Sequence, residues 1–340
     1  MKAAVLVRTG AARGAFEFRE LPDPVPGEGQ IRVAVEYSGL NFADVHARLG
    51  IYQDAPPLPC VLGYEVVGRI DEVGEGCEGY RPGMRVVAMT RFGGYATMAL
   101  STRYGVAPIP EEFDGAAATA LATQYVTAWY AAEEMVTLHE GDRVLLHSAA
   151  GGLGRALLQI VKRHGCTVVG VTGSASKISV LEDAGVDVPL LFQGGNFAAA
   201  YRRVCGNAPL DVIFDPVGGS QVRAGMRLLG SGGRMVCLGI SGSVGPHAGI
   251  LRTLATVAAL GIIHPAALML HSRSVIGVNM LRIGDDKPRA IRRCLDEVVT
   301  RAVRGEFQPV VGKVYPAAEI ADAHGDLESR RTLGKVALRW

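Results

Sequence analysis

The chain has few of the features that mark a nucleic-acid-binding or a secreted protein. Its 340 residues carry 35 Lys and Arg against 33 Asp and Glu, a formal net charge of +2, and basic residues never run beyond two in a row. Proteins that bind DNA or RNA usually carry a basic face, so this balance favours a small-molecule partner over a nucleic acid. The N-terminal apolar run ends at Arg8, too short for the hydrophobic region of a signal peptide. We therefore expect no nucleic-acid partner and a cytoplasmic protein.

Clustered cysteines and long hydrophobic segments are also scarce. The six cysteines are scattered, with no Cys-x-x-Cys pair and no Cys/His cluster at zinc-ligand spacing, so we expect a reduced protein without a bound metal. Residues 253–270 lack formal charge over 18 positions, the lower margin for a membrane span, but Gly261 and Pro265 interrupt them. We expect a buried helix there and no membrane association.

What the chain does contain is enough apolar sequence for two domains. Hydrophobic residues make up 49% of the 340 positions, and about 150 residues per domain is usual. In the N-terminal third the apolar positions alternate, as at Ile31, Val33 and Val35, which is the period of a half-buried strand. Turn clusters rich in Gly and Pro separate these strands, so the pattern predicts a small, bent β-barrel.

From residue 122 onward the pattern changes to short apolar strands that alternate with helices. Such repeated βα units predict a parallel, doubly wound α/β sheet of the Rossmann type. The last strands, near residues 310–314 and 335–338, return to mixed character, and we expect them to rejoin the N-terminal barrel. The predicted domains are therefore 1–121 with 284–340, and 122–283.

A glycine-rich turn follows the first of these strands. Residues 147–154 are HSAAGGLG, in which Ala149, Gly151 and Gly154 hold the three positions of a G-x-G-x-x-G turn. Gly151 lets the backbone approach a pyrophosphate, Gly154 allows close packing of helix on strand, and the helix N-terminus offers N–H groups to the anion. The first position departs from glycine, but the turn joins an apolar strand to a helix, so we predict dinucleotide binding.

The end of the second strand indicates which dinucleotide is bound. A site that selects NAD places Asp or Glu here to hold the ribose diol, whereas residues 171–177 are VTGSASK. Without a carboxylate to repel a 2′-phosphate, and with Ser174, Ser176 and Lys177 as donors, the sequence predicts NADPH in preference to NADH. A solvated lysine near a helix start is the alternative that remains open.

Several short motifs along the whole chain resemble one protein family. They are GLNFAD at 39–44, GIY at 50–52, PPLP at 56–59, AAGGLG at 149–154, ASK at 175–177, FDPVGG at 214–219 and GKV at 334–336. Together they resemble the zinc-independent branch of the medium-chain dehydrogenase/reductase superfamily, the quinone oxidoreductases, and especially the vesicle amine transport protein homologues. The resemblance implies a GroES-like β-barrel catalytic domain beside a Rossmann domain.

Two positions separate this chain from the zinc-containing relatives. Where those relatives carry a cysteine ligand before Ser-Asp, the sequence has Gly39-Leu40-Asn41, and where they carry Gly-His-Glu it has Gly63-Tyr64-Glu65, with Tyr64 at the position of the histidine ligand. The four-cysteine lobe that holds their structural zinc has no counterpart in sequence between residues 88 and 106. The resemblance therefore implies a reaction that does not use zinc as a Lewis acid.

The implied reaction is hydride transfer from NADPH to a quinone or an α,β-unsaturated carbonyl. The acceptor's developing negative charge falls on oxygen, where a few hydrogen-bond donors can replace a metal. By resemblance, Asn41 and Tyr52 line the active cleft and donate to that oxygen, while Asp44 orients their loop. Tyr64 fills the space that the metal vacates, although its phenol could instead donate a proton. Thr127 matches the residue that lies against the nicotinamide, and a threonine bonded to its own helix is the open alternative.

The resemblance also implies the cofactor contacts. They are Ala150, Gly151, Gly152, Leu153, Gly154, Gly173, Ser174, Ser176, Lys177, Phe192, Leu238, Gly239, Ile240 and Asn279. Phe192 departs from the tyrosine that many relatives place beside the 2′-phosphate, and the loss of one donor predicts a weaker preference for NADPH.

Two further hypotheses remain open. The HSAAGG turn also resembles the enoyl reductase modules of polyketide synthases, so a biosynthetic enoyl reductase is the nearest enzymatic alternative. The vesicle-protein resemblance allows a non-catalytic NADPH-binding protein that associates with a membrane or a partner, for which an exposed apolar patch at residues 254–270 would be the sign. Family likeness also implies a homodimer formed through an edge strand near residues 275–278.

Overall fold

The structure, a computed structural model, describes residues 1–244 and 250–340. In chain order its strands are β1 (Lys2–Leu6), β2 (Phe16–Glu20), β3 (Gln30–Leu40), β4 (Cys60–Val61), β5 (Glu65–Val73), β6 (Arg85–Met89), β7 (Met98–Thr102), β8 (Val106–Pro108), β9 (Arg143–Leu146), β10 (Thr167–Thr172), β11 (Val188–Leu191), β12 (Leu210–Asp215), β13 (Leu229–Cys237), β14 (Ser274–Gly277), β15 (Val311–Pro316) and β16 (Lys335–Arg339). Its helices are α1 (Phe42–Arg48), α2 (Gly115–Ala120), α3 (Val126–Trp129), α4 (Gly152–Lys162), α5 (Ile178–Asp183), α6 (Phe197–Cys205), α7 (Ser220–Met226), α8 (Ile250–Leu260), α9 (Pro265–His271), α10 (Met280–Asp286), α11 (Pro288–Val303) and α12 (Ile320–Glu328). Two π-helical turns, Leu121–Tyr125 and Tyr130–Glu134, flank α3.

These elements form two compact units. The first, here called the β-rich unit, is Met1–Val126 with Met280–Trp340, and the second, the parallel-sheet unit, is Thr127–Asn279. The boundaries lie within a few residues of the domain limits 1–121, 122–283 and 284–340 predicted from the sequence.

The β-rich unit brings the two ends of the chain into one sheet. Its described strands follow the order β15-β16-β3-β5-β6-β8, with β7 also paired to β3, beside a smaller sheet of order β2-β1-β4. Strand β16 runs antiparallel to β3, with Val336 opposite Leu40. The C-terminal strands therefore rejoin the N-terminal sheet, as predicted. Ile31 and Val33 are fully buried in its core, as their alternation requires.

The parallel-sheet unit confirms the doubly wound prediction. Its described strands pair in parallel in the order β11-β10-β9-β12-β13-β14. The chain order reverses between β9 and β12, which is the switch point where ligands of such sheets bind. Strand β14 lies at one edge of the sheet, where the homodimer hypothesis requires it.

The apolar segment near residues 253–270 differs from the expectation of one buried helix. Gly261, with φ +78°, separates α8 from the turn that leads into α9. The side chains of Leu254, Met269 and Leu270 are 60%, 80% and 82% exposed. The expected burial is wrong for the single chain, because no residue of α9 is buried and the described side chains of α8 are exposed or only partly buried.

The same segment resembles a membrane span in its composition alone. No single helix within 1–244 and 250–340 is long and apolar enough to cross a membrane. Thr253–Leu260 and Pro265–His271 reach the length and hydropathy of a span only as a pair, bent by 50°.

Candidate functional site

The predicted cofactor residues gather along one edge of the parallel sheet. Parallel strands run in the same direction, so the loops that follow them meet at their common carboxyl edge. The edge carries Phe192 after β11, Gly173 and Ser174 after β10, Ala150 and Gly151 after β9, Leu238, Gly239 and Ile240 after β13, and Asn279 after β14. Neighbouring loops are bonded to one another, since Phe192 N donates to Thr172 O at 2.8 Å.

The glycine turn opens α4 as the sequence predicts. Gly151 is the N-cap, Gly152 and Leu153 form the first turn, and no side chain of the described residues caps the helix. Its first N–H groups are therefore available to an anion. A Cβ added at Gly154 would lie 2.4 Å from Ser148 O, so this glycine is required for close packing of the helix on the turn.

The end of β10 presents the donors predicted for a 2′-phosphate. Ser174 Oγ and Ser176 Oγ lie 2.8 Å apart. Burial lowers the pKa of the neighbouring Lys177, which is the direction expected for an ammonium group partly withdrawn from water. The Phe192 ring packs edge to face on Phe197, with ring centroids 5.1 Å apart. It therefore contributes an apolar surface, and no polar group, at this end of the sheet edge.

The middle of the same edge holds a buried carboxylate that the predicted site does not include. Asp215 Oδ1 accepts the backbone N–H groups of Val217 at 2.6 Å and Gly218 at 3.1 Å. Asp215 Oδ2 is also buried and has no hydrogen-bond partner in the described part of the chain. The sequence signal was the FDPVGG motif, in which Asp215 directly follows the apolar run at residues 212–214, at the end of β12.

A buried ion pair lies at the centre of the β-rich unit, where Glu65 begins β5 and Lys335 begins β16. Both side chains are fully buried and bond to each other. Glu65 also accepts the Thr123 hydroxyl, and Lys335 Nζ donates to Leu40 O at 3.2 Å. A charge buried this deeply persists only with such partners. Glu65, Thr123 and Lys335 are absent from the predicted site.

Asn41 is fixed by this ion pair. Its Nδ2 donates to both carboxylate oxygens of Glu65, at 2.9 and 2.8 Å, and its Oδ1 accepts from Lys335 Nζ at 3.1 Å. The two charges define which end of the amide is nitrogen and which is oxygen. Because both oxygens of one carboxylate lie close to the same nitrogen, one Asn41 amide N–H is directed at Glu65, and the two charges together hold the side chain in place.

Asp44 ties the Asn41 loop to the strand that carries Glu65. Its Oδ2 accepts Asn41 N at 2.9 Å, and its Oδ1 accepts Gly63 N at 3.1 Å. Burial raises the pKa of Asp44 to about 8, and the nearby charge of Glu65 acts in the same direction. These contacts are the ones that an orienting role requires.

Three aromatic rings form a wall beside this network. The Tyr64 ring lies 6.2 Å from that of Tyr52, edge to face, and 5.1 Å from that of Phe92. Burial raises the pKa of both tyrosines, so both phenols stay protonated near neutral pH.

Four of the predicted catalytic residues, Asn41, Asp44, Tyr52 and Tyr64, thus lie together in the β-rich unit. Thr127 lies in α3 and belongs to the parallel-sheet unit. Across residues 1–244 and 250–340, no three His, Cys, Asp or Glu side chains are grouped closely enough to hold a metal ion.

Comparison with known proteins finds matching families for both units. Residues 27–132 match the alcohol dehydrogenase GroES-like domain, and residues 185–338 match the zinc-binding dehydrogenase family. The synaptic vesicle membrane protein VAT-1 homolog of Rattus norvegicus is 30% identical over 324 residues, which is 95% of this chain and 80% of that protein. The chain belongs to the medium-chain dehydrogenase/reductase superfamily. The GroES-like and Rossmann-type architecture predicted from its motifs is that of the superfamily.

Other members of the superfamily resemble the chain over nearly its whole length. A quinone oxidoreductase of Rattus norvegicus is 29% identical over 93% of this chain and 90% of its own. A mycobacterial protein complexed with NADPH has a TM-score of 0.86 at 27% identity, with full coverage of both chains. A mycocerosic acid synthase-like polyketide synthase of Mycobacterium tuberculosis contains a matching segment, 28% identical over 98% of this chain and 15% of the synthase.

Proposed function

We propose that this oxidoreductase transfers a hydride from NADPH to a quinone or an α,β-unsaturated carbonyl without using a metal. The observation that carries the proposal is which residues stand at the two positions where zinc-containing relatives place metal ligands. Asn41 is held there by a buried ion pair, and Tyr64 packs into an aromatic wall. The likeness to quinone oxidoreductases supports the acceptor class.

The parallel-sheet unit fits NADPH. The uncapped N-terminus of α4 suits a pyrophosphate, and the buried, unpartnered Asp215 Oδ2 is an acceptor left for a ligand hydroxyl. Ser174, Ser176 and Lys177 would hold the 2′-phosphate, and no carboxylate in residues 171–177 opposes it. The superfamily member complexed with NADPH, reported above, supports this assignment.

The nicotinamide end would be held by the loops after β13 and β14, with Leu238, Gly239, Ile240 and Asn279, together with Thr127 of α3. Bound NADPH supplies the hydride, and the acceptor also takes up one proton, so that an enone becomes a saturated ketone and a quinone becomes a hydroquinone. This chain's residues must then stabilise the charge that develops on the acceptor oxygen.

Tyr52 is the donor that we assign to that oxygen. Its phenol is only half-buried, whereas Tyr64 is buried and the Asn41 amide already bonds to Glu65 and Lys335. Asn41, Asp44 and the Glu65–Lys335 pair then keep the loop before Tyr52 in place. Tyr64 fills the wall behind the Tyr52 ring.

The proposal is tested by the initial rate of NADPH oxidation with an ortho-quinone and with a short-chain enone. The wild type is expected to turn over both, and Tyr52→Phe to lower kcat/KM for the acceptor about 10-fold, the loss of one bond to a charged group. Tyr64→Phe is expected to change kcat/KM for the acceptor by less than about 3-fold, because the Tyr64 ring fills the space and phenylalanine keeps that ring. Tyr104→Phe, on the barrel surface, is the matched control. NADPH binding that saturates without turnover of either acceptor would contradict the proposal.

An enoyl reductase is the second candidate, favoured by the matching polyketide synthase segment. It predicts that a short enoyl thioester is reduced with a kcat/KM above that of the free enone and of the quinone. The same assay, with crotonyl thioester as a third acceptor, separates the two candidates.

The exposed apolar surface of α8 and α9 is the sign expected for the membrane- or partner-associated alternative, and the partner that we propose for it is a second copy of this chain. It lies in the same unit as the edge strand β14, and together an unpaired edge and an apolar face fit a second copy of this chain. We expect a dimer by light scattering. Leu270→Glu should shift it toward monomer, while Val25→Glu, a similarly exposed position in the other unit, should not. A monomeric wild type that floats with anionic vesicles would favour the membrane-associated alternative.

A further inference from the structure

Helix α10 contacts two loops of the β-rich unit through oppositely charged side chains. Arg282 forms an ion pair with Asp54. Asp285 accepts two parallel bonds from Arg91, at 2.9 and 2.8 Å. Because Arg282 and Asp285 are three residues apart, they lie on the same side of the helix. One seven-residue helix therefore holds two separate loops.

Each of these loops carries one ring of the aromatic wall. Asp54 lies two residues after Tyr52, within the turn that follows α1. Arg91 directly precedes Phe92, whose ring contacts Tyr64. The two ion pairs consequently act on the segments that set where the Tyr52 and Phe92 rings lie.

The loop held by Arg91 has a strained backbone. Phe92 has φ +148°, a conformation that residues other than glycine rarely adopt. Strain of this kind persists only where the surroundings hold the residue. Gly93 N donates to Val61 O at 2.9 Å on one side of Phe92, and the paired bonds of Arg91 hold the other side.

Stability alone does not account for these charges. The side chains of Arg91, Arg282 and Asp285 are 56%, 59% and 36% exposed, and ion pairs so accessible to water contribute little to stability. A paired guanidinium and carboxylate nevertheless fix geometry well, because both bonds must be made at once.

We propose that α10 is a strap whose two ion pairs position Tyr52 and Phe92 for the acceptor. Arg282, Asp285, Arg91 and Asp54 are then positioning residues, and this role rests on the proposed reduction of a conjugated acceptor. The strap begins directly after Asn279 in the chain, the residue predicted to contact the nicotinamide.

The kinetic test compares Asp285→Asn and Arg282→Gln with the wild type. We expect kcat/KM for the acceptor to fall about 3- to 10-fold, as for a small misplacement of a donor, with KM for NADPH and the melting temperature unchanged. Glu111→Gln is the matched control, because it breaks a similar exposed two-bond pair with Arg69 in the same unit. The exchanged pair Arg91→Asp with Asp285→Arg should recover part of the loss.

Hydrogen exchange of the protein without cofactor or acceptor keeps the two proposals distinguishable. The Ala55 and Gly93 amides, bonded to Tyr52 O and Val61 O, should exchange several-fold faster in the two strap variants and at the wild-type rate in Glu111→Gln. If the strap variants exchange faster but the protein turns over no acceptor, the strap is supported and the proposed function is contradicted. Wild-type exchange rates in the strap variants would overturn the strap, whether or not the protein is active.

Discussion

Replacing Lys335 with methionine is expected to lower the free energy of unfolding by about 3–5 kcal/mol, measured by urea denaturation. The Glu65 carboxylate is fully buried and would lose its only cationic partner among the described residues. Methionine matches the length of the lysine stem, so lost packing contributes little. The cost arises from a negative charge left in a low-dielectric interior.

The double variant Glu65→Gln with Lys335→Met separates the charge from the contact. A neutral glutamine still accepts from Asn41 and Thr123 and leaves no unpaired charge, so the double variant should be more stable than Lys335→Met alone. If the two variants unfold at the same urea concentration, the buried charge is not the cause of the loss.

Replacing Ser176 and Lys177 together with alanine is expected to lower the preference for NADPH over NADH at least about 100-fold, because about 3 kcal/mol is lost and about 1.4 kcal/mol corresponds to a factor of ten. Each removed donor makes a charge-assisted bond to the 2′-phosphate, and such bonds contribute about 1.5–3 kcal/mol to binding. The measurement is the ratio of kcat/KM for the two cofactors with one acceptor. NADH, which lacks the phosphate, should be used at nearly the wild-type rate.

Two single variants test this prediction further, one as a control and one that should act in the opposite direction. Lys162→Ala removes a lysine at the far end of α4, where it pairs with Asp187 at 2.9 Å, and should leave the cofactor ratio unchanged. Phe192→Tyr restores the hydroxyl that many relatives have and should raise the preference for NADPH. A ratio that is the same in the wild type and in the Ser176, Lys177 variant would show that the phosphate is held elsewhere.

The candidate site shows where prediction from local patterns ends. Lys335 stands inside the GKV motif and Glu65 directly follows Tyr64, and each is the charged first residue of its strand. A buried charge requires a partner, so the signal was present. The partner is 270 positions away, and only the pairing of β16 with β3 brings the two together. The same pair holds Asn41 in place, and the role of Asn41 as a donor to the acceptor oxygen stays a prediction.

The sequence by itself determined the elements whose signals are local. Alternation at Ile31 and Val33 indicated the β-rich unit, repeated βα units indicated the parallel sheet, and Gly154 marked the turn where a helix packs on a strand. The common edge that carries the proposed cofactor residues could be predicted, because parallel strands bring their carboxyl ends to one edge whatever their order.

Only the tertiary structure decided what depends on register and burial. It placed Lys335 against Glu65, joined α10 to the loops of Tyr52 and Phe92, and left the apolar face of α8 and α9 exposed. Periodicity shows that a segment has an apolar side, but it does not show which other segment, or which other chain, covers that side. Contacts between residues far apart in sequence are set by how all the strands pair at once, and no single motif contains that information.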